Sequence, residues 1–273
     1  MGFGNRLVEA GRTHGRLCVG IDPHAALLQQ WGLANTVDGL RTFAMTCVEA
    51  FGGHVAAIKP QVAFFERFGA QGFAVLEETL ASARELGTIT IADAKRGDIG
   101  STMAGYAAAW LEPGAPLEAD ALTLTPYLGV GSLAPAIELA QQHGKGVFVM
   151  SANSNPEAEQ FQSSTLNGGV TVAQFMSDEC AKFNADAALR GEVGDVGVVV
   201  GATVDTPPAL ESLNAPVLMP GVGAQGATFA DVDRIAGERA HLVFPNVSRS
   251  VLRHGPNVSD LRNQAVELGK RDN

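Results

Sequence analysis

The sequence predicts a single-domain α/β protein of the (β/α)8, or TIM barrel, class. Three observations carry that expectation: short apolar runs recur along the whole chain, segments with helical spacing lie between them, and the runs number eight. Continuous apolar runs mark strands buried on both faces, as in a parallel sheet covered by helices, and a count of eight favours closure over an open sheet. No linker rich in Pro, Ser or Gly divides the 273 residues, so one domain over 1–273 is expected.

In chain order, the first run is LCVGI at 17–21, which ends at Asp22 in the stretch GIDP. Leu40, Phe43, Ala44, Cys47, Val48 and Phe51 then repeat at about 3.6 residues, the signature of an amphipathic helix. The second run, VAAIK at 55–59, ends in Lys59, and the third, TITIAD at 88–93, opens into IADAKRGDIG. That stretch sets Asp93, Lys95, Arg96 and Asp98 within six positions. The fourth run is DALTL at 120–124 and the fifth GVFVM at 146–150. The longest connection, 151–195, follows, with the polar start SANSNPEAEQFQSSTLNGG before a helix marked by Val172, Phe175, Met176, Cys180 and Phe183. A long polar segment after a strand reads as a lid, here over 151–170, or as a tolerated surface insertion, and its length does not choose. The last runs are VGVVVG at 196–201, PVLMP at 216–220 and HLVFPN at 241–246.

Composition narrows the function classes. Nineteen Lys and Arg against 29 Asp and Glu give a net charge of -10, and no basic run offsets it, so neither nucleic acid nor an anionic membrane is an expected partner. The three cysteines, Cys18, Cys47 and Cys180, are odd in number and far apart, which suggests neither a disulfide framework nor a zinc knuckle. The opening MGFGNRLVEAGRTHGR has no apolar signal core, and Arg6 stands where a myristoylation signal wants Ser or Thr. No apolar stretch approaches the roughly 20 residues that span a bilayer. A cytoplasmic chain is expected. The six histidines never fall in H-x-H or H-E-x-x-H spacing, so no metal site is expected either.

The ends of the first three runs carry the chemistry. Side chains two apart on a strand share a face, so Asp93 and Lys95 should both aim into the barrel mouth if the extended backbone persists that far. Asp98 lies beyond the strand, where its direction is unreadable. Alone, D-x-K-x-x-D could be a solvated turn, but strand C-termini in such barrels host catalytic residues. With Asp22 and Lys59 on the adjacent ends, an alternating acid and base network is expected, since each charge lowers the desolvation cost of the next. Lysines held between carboxylates stay protonated, which suits a proton donor and argues against a Schiff-base nucleophile. After the seventh run, PGVGAQG matches G-x-G-x-x-G, but the eighth ends in Asn246 rather than the acidic residue a dinucleotide site wants. In eight-stranded barrels the last two loops instead hold phosphate, and here they contain Gln225 and Arg249. Ser154 and Asn155 of SANSNP could read the edge of a polar heterocycle.

Taken together these residues resemble the orotidine 5′-monophosphate decarboxylase family, in its longer bacterial subgroup (type 2), over residues 15–253 in the right order. The resemblance implies that Lys95 is the proton donor and that Asp93 and Asp98 flank the reacting carboxylate. It further implies that Asp98 comes from the neighbouring subunit of a homodimer, and Thr102 follows in the same motif as a substrate contact. Asp22 and Lys59 would hold the ribose hydroxyls, Ser154 the pyrimidine, with Ser151 close by, and Gln225 with Arg249 the phosphate. The implied reaction makes uridine 5′-monophosphate and CO2 without a cofactor, in pyrimidine biosynthesis. A magnesium-dependent sugar-phosphate enzyme with the same D-x-K-x-x-D, a non-catalytic phosphate-ligand binder and a Schiff-base aldolase share parts of the pattern.

Overall fold

A computed structural model describes residues 1–223 and 226–270. Eight parallel strands close in sequence order: β1 (Cys18–Ile21), β2 (Ala57–Pro60), β3 (Ile89–Arg96), β4 (Ala121–Leu124), β5 (Gly146–Ala152), β6 (Val196–Val200), β7 (Val217–Pro220) and β8 (Val243–Val247). Closure comes from β1 against β8, with Cys18 opposite Asn246 and Val19 opposite Val247. Every expected apolar run therefore contains a strand. The eighth starts two residues later than expected, because Gly237–Leu242 forms a 3-10 helix. β3 and β5 extend past their apolar runs into the charged and polar residues that follow.

Alternation along each strand separates two apolar layers. Residues such as Val19, Ile58, Leu122 and Val198 face the surrounding helices, whereas Cys18, Ala57, Ile89, Ile91, Ala121, Phe148, Leu218 and Phe244 fill the barrel interior. Two residues on from the inward members stand Gly20, Lys59, Asp93, Thr123 and Asn246. The period of two thus carries polar groups to the upper end of an otherwise apolar interior.

The lower end is plugged by the helix Phe3–His14, which contributes buried Phe3 and Leu7 to the interior cluster. The Phe3 ring meets Phe148 edge-on with centroids 5.8 Å apart. Gly146 makes room for it, since a Cβ there would lie 2.1 Å from the Phe3 ring. The helix start is held by Asp195, whose carboxylate accepts the Gly4 N–H at 2.9 Å.

The connection after β5 is not a plain loop. It contains the short helix Pro156–Gln162, with proline in its first turn where a missing N–H costs nothing. An isolated bridge pairs Thr165 with Thr171 before the helix Val172–Phe183 begins. Among the described residues no helix is long and apolar enough to cross a membrane.

The plug makes a testable contribution to stability. Phe3→Ala should lower the unfolding free energy by about 3–5 kcal/mol, the range for emptying a buried aromatic site, read as a lower urea midpoint. A loss under about 1 kcal/mol would mean that the barrel bottom closes without it.

Candidate active site

The site is built on one carboxylate. Asp93 shares the inward face of β3 with Ile89 and Ile91, and it is only 7% exposed. Its Oδ2 pairs with Lys59 Nζ from β2, and its Oδ1 accepts from Lys95 Nζ at 2.5 Å and from Thr123 Oγ1 of β4 at 3.0 Å. Burial by itself would raise the Asp93 pKa, but the ammonium groups of Lys59 and Lys95 overcome it and hold the carboxyl well below its usual range. Lys59 is the mirror case. Burial alone would discharge it, while the carboxylates of Asp93 and Asp22 raise its pKa above the ordinary lysine value. The lysine side chains differ in access: Lys59 is 8% exposed and Lys95 42%.

Simple strand alternation does not bring Lys95 to Asp93. Ala92 pairs with Leu122 of β4 and Arg96 with Leu124, so three residues of β3 face one of β4 in a bulge. Within it Lys95 adopts φ 49°, a left-handed conformation that costs a side-chain-bearing residue roughly 1–2 kcal/mol. Two threonines of the neighbouring strand end hold it there. The Lys95 N–H donates to Thr123 Oγ1 at 2.9 Å, and Thr125 Oγ1 donates to the Lys95 carbonyl at 3.3 Å. Thr123 therefore fixes both the carboxylate and the main chain of the lysine beside it.

A cavity of about 230 Å³ opens above this cluster. Asp22, Lys59, Asp93, Lys95 and Arg249 all line it, joined by Gln61, Thr123, Asn153, Asn246 and Ser248. Gly20 shapes its rim, because a Cβ there would fall 2.0 Å from Ser248 Oγ and 3.0 Å from Asp22 Oδ1. Gly221 and Val222 of the loop after β7 line the same cavity as Arg249, which follows the neighbouring β8. Gly221, Gly223 and Gly226, the glycines of the G-x-G-x-x-G match, all have positive φ. These are conformations that glycine adopts readily, and Gly221 places one of them at the cavity edge. Gln225 lies outside the described residues.

Other expected residues stand elsewhere. Asp98 is half-buried, its Oδ1 accepting the Ile99 N–H at 2.7 Å, and Thr102 is exposed on the helix Gly100–Leu111. Neither lines this chain's cavity. Ser151 is buried and donates to the Ala173 carbonyl at 2.8 Å. Ser154 sits where Gly201 leaves it room, with its Cβ 3.0 Å from the position a Gly201 Cβ would take. Between these serines it is Asn153 that reaches the cavity wall. Thr123 and Asn246 were legible by parity, two residues beyond inward Ala121 and Phe244. Gln61 follows Lys59 by the same parity, whereas Asn153 carried no comparable signal, since the register shifts between Met150 and Ala152.

A second cavity of about 300 Å³ shares Lys95, Met150 and Asn153 with the first and continues under Tyr127, Phe161 and Met176. Polar and apolar chambers thus meet at one ammonium.

The buried pair of Asp93 and Lys59 gives a stability test with a defined sign. Asp93→Asn leaves Lys59 without its main counter-charge and should cost about 3–5 kcal/mol near neutral pH; half-exposed Lys95 adds little to that figure. Because folding depresses the Asp93 pKa, the wild-type advantage is full above the unfolded-chain value of about 3.9 and shrinks as the pH falls below it. Urea unfolding of both proteins at neutrality and near pH 3 measures the difference. An advantage that grew on acidification would contradict this ion cluster.

Comparison with known proteins agrees with the architecture. Residues 15–263 match the model of the orotidine 5′-phosphate decarboxylase / HUMPS family. The orotidine 5′-phosphate decarboxylase of Corynebacterium glutamicum is 56% identical over 267 residues, covering 98% of this chain and 96% of that protein. A crystal structure from Streptomyces avermitilis, provisionally assigned as an orotidine 5′-phosphate decarboxylase, is 51% identical and superimposes with a TM-score of 0.94, covering 98% of this chain and 94% of the other. The OMP decarboxylase of Leishmania donovani is 30% identical with a TM-score of 0.79, covering 100% and 98%. The chain is a member of the orotidine 5′-phosphate decarboxylase / HUMPS family.

Proposed function

We propose that this chain is a cytoplasmic carboxy-lyase that converts orotidine 5′-monophosphate to uridine 5′-monophosphate and CO2, the decarboxylation of de novo pyrimidine biosynthesis. Lys95 serves as proton donor and no cofactor takes part. The observation that carries this reading is the Lys59–Asp93–Lys95 cluster at the cavity floor, with Lys95 its accessible member.

The chemistry follows from charge. Breaking the bond from C6 to the carboxylate leaves an electron pair on C6 in the plane of the ring, where the π system cannot take it up. A fixed ammonium beside that carbon stabilises the charge as it forms, in a site whose dipoles need no rearrangement. Lys95 then transfers a proton from Nζ to C6, giving uridine 5′-monophosphate, and is reprotonated from solvent. Asp93 holds Lys95 in place and lies next to the departing carboxylate.

The remaining assignments draw on the same cavity. Asp22 Oδ1 is buried without a hydrogen-bond partner among the described residues, so a ribose hydroxyl would satisfy it, with Lys59 alongside. Arg249, with Gln225, takes the phosphate at the glycine-lined mouth. Ser154 meets the pyrimidine, and the 151–170 segment covers it as a lid. Asp98 and Thr102 complete the site of a second subunit in a homodimer, a role supported by their standing outside their own chain's cavity and by Ile99 between them being 61% exposed.

Loss of orotidine 5′-monophosphate absorbance, followed in excess chelator with nothing added, should proceed at the full rate. Lys95→Ala should abolish nearly all of it while the protein stays folded, a loss beyond the roughly 10²–10⁴ of general-acid catalysis alone. Retention of a tenth of the activity would overturn the assignment of Lys95, and dependence on a divalent ion would favour a sugar-phosphate reaction.

The shared site has its own test. Lys95→Ala and Asp98→Asn subunits, each inactive alone, should recover about a quarter of wild-type activity when mixed and allowed to reassort, because half the dimers are mixed and one of their two sites is intact. If Asp98 served its own chain's Lys95, every site would keep a defect and mixing would restore nothing, even with exchange verified by tagged subunits.

A further inference from the structure

We infer that Gln162 is a positioning residue that sets the orientation of the Asn153 side-chain amide at the cavity wall. The inference rests on the nucleotide reading above and extends it to a residue of the adjoining second cavity.

The Asn153 main-chain N–H donates to Gln162 Oε1 at 2.6 Å, and Gln162 Nε2 donates back to Asn153 Oδ1 at 2.9 Å. The first bond fixes the sense of the second. A main-chain N–H can only donate, so Gln162 must present its oxygen there and its amino group to Asn153, whose own oxygen then accepts. Asn153 is left with Oδ1 committed and Nδ2 turned to the other side of its amide. Asn153 lines both cavities and Gln162 only the second, so the clasp determines from the adjoining chamber which end of an amide the first cavity receives. A donor is the end that suits a ring carbonyl of a pyrimidine.

The clasp also holds the connection after β5. The helix Pro156–Gln162 has no buried residue, so core packing does not dock it. It is attached through its last two residues, by the amide pair at Gln162 and by the Phe161 ring, 6.0 Å from Tyr127. On the strand side, Ser151 is tied to the Ala173 carbonyl, and Asn153 is the next cavity-facing position.

Two variants separate holding from orienting. Gln162→Ala removes both bonds. Gln162→Glu still accepts the Asn153 N–H, but its second oxygen can only accept, so the Asn153 amide must reverse to donate Nδ2 to it. The clasp survives with the wrong end facing the cavity. Limited proteolysis within 151–170 should therefore be faster in Gln162→Ala and unchanged in Gln162→Glu. The KM for orotidine 5′-monophosphate should rise up to about tenfold in both, with kcat changed little, as expected for a lost ground-state contact worth one hydrogen bond. Wild-type KM in Gln162→Glu would overturn the orienting role, and a fall in kcat at constant KM would overturn it equally. A wild type that does not turn over this substrate would instead reject the nucleotide reading, while the proteolysis comparison still reports whether the clasp exists.

Discussion

A carboxylate that is 7% exposed and charged, held between two ammonium groups, is the constraint on which the rest of this site depends. Neither of the two buried charges, Asp93 and Lys59, is stable at its position alone. Burial opposes ionisation of Asp93 and protonation of Lys59 alike, and only their mutual attraction reverses both tendencies. Asp22 adds the second carboxylate that Lys59 feels. The barrel supplies what such a cluster needs, which is side chains from adjacent strands at nearly one level, pointing inward from rigid backbone. Register does this directly, for Gly20 of β1 stands opposite Lys59 of β2. Glycine there leaves the space that Ser248 and Asp22 occupy.

The cluster in turn dictates local backbone. Bringing Lys95 back onto Asp93 requires the bulge after Ala92 and a left-handed residue that is not glycine. Strain of this kind persists only where surroundings over-determine it. Here they do, through the hydroxyls of Thr123 and Thr125 and the ion pair to Asp93 itself. Glycine at position 95 would relieve the backbone and remove the charge. The unfavourable φ is therefore tied to the need for an ammonium at that point.

How much of this was legible in the sequence depends on which forces set each feature. The eight strands were readable because burial on both faces leaves continuous apolar runs, and every run contains one. The ends were less so: polar and charged residues continue β3 to Arg96 and β5 to Ala152, where the pull of the site outweighs strand propensity. The meeting of Asp93 and Lys95 was anticipated on the premise of an uninterrupted strand, whereas the structure achieves it through a bulge. No propensity signals a bulge that neighbouring threonines impose. Asp22, Lys59, Asp93, Lys95 and Arg249 converge as expected because strand ends in a closed barrel must converge. Asn153 and its partner Gln162 were not foreseeable, since their pairing depends on how a short helix with no buried face folds back.

Two lysines on one carboxylate would be redundant if charge were all that mattered. Their surroundings make them different. Lys59 is nearly enclosed and drawn on by Asp93 and Asp22, with its pKa raised, so it binds its proton tightly. Lys95 touches the same carboxylate from a position open enough for solvent and substrate to reach. A group that must deliver a proton and regain it each cycle needs that access, and a group that must keep a buried carboxylate ionised needs the opposite. With Lys59 paired to Asp93, the proton transfer proposed for Lys95 would not leave the buried carboxylate unpaired. The division of labour proposed for the pair thus rests on burial, which encloses Lys59 as counter-charge to Asp93 and leaves Lys95 open to the cavity.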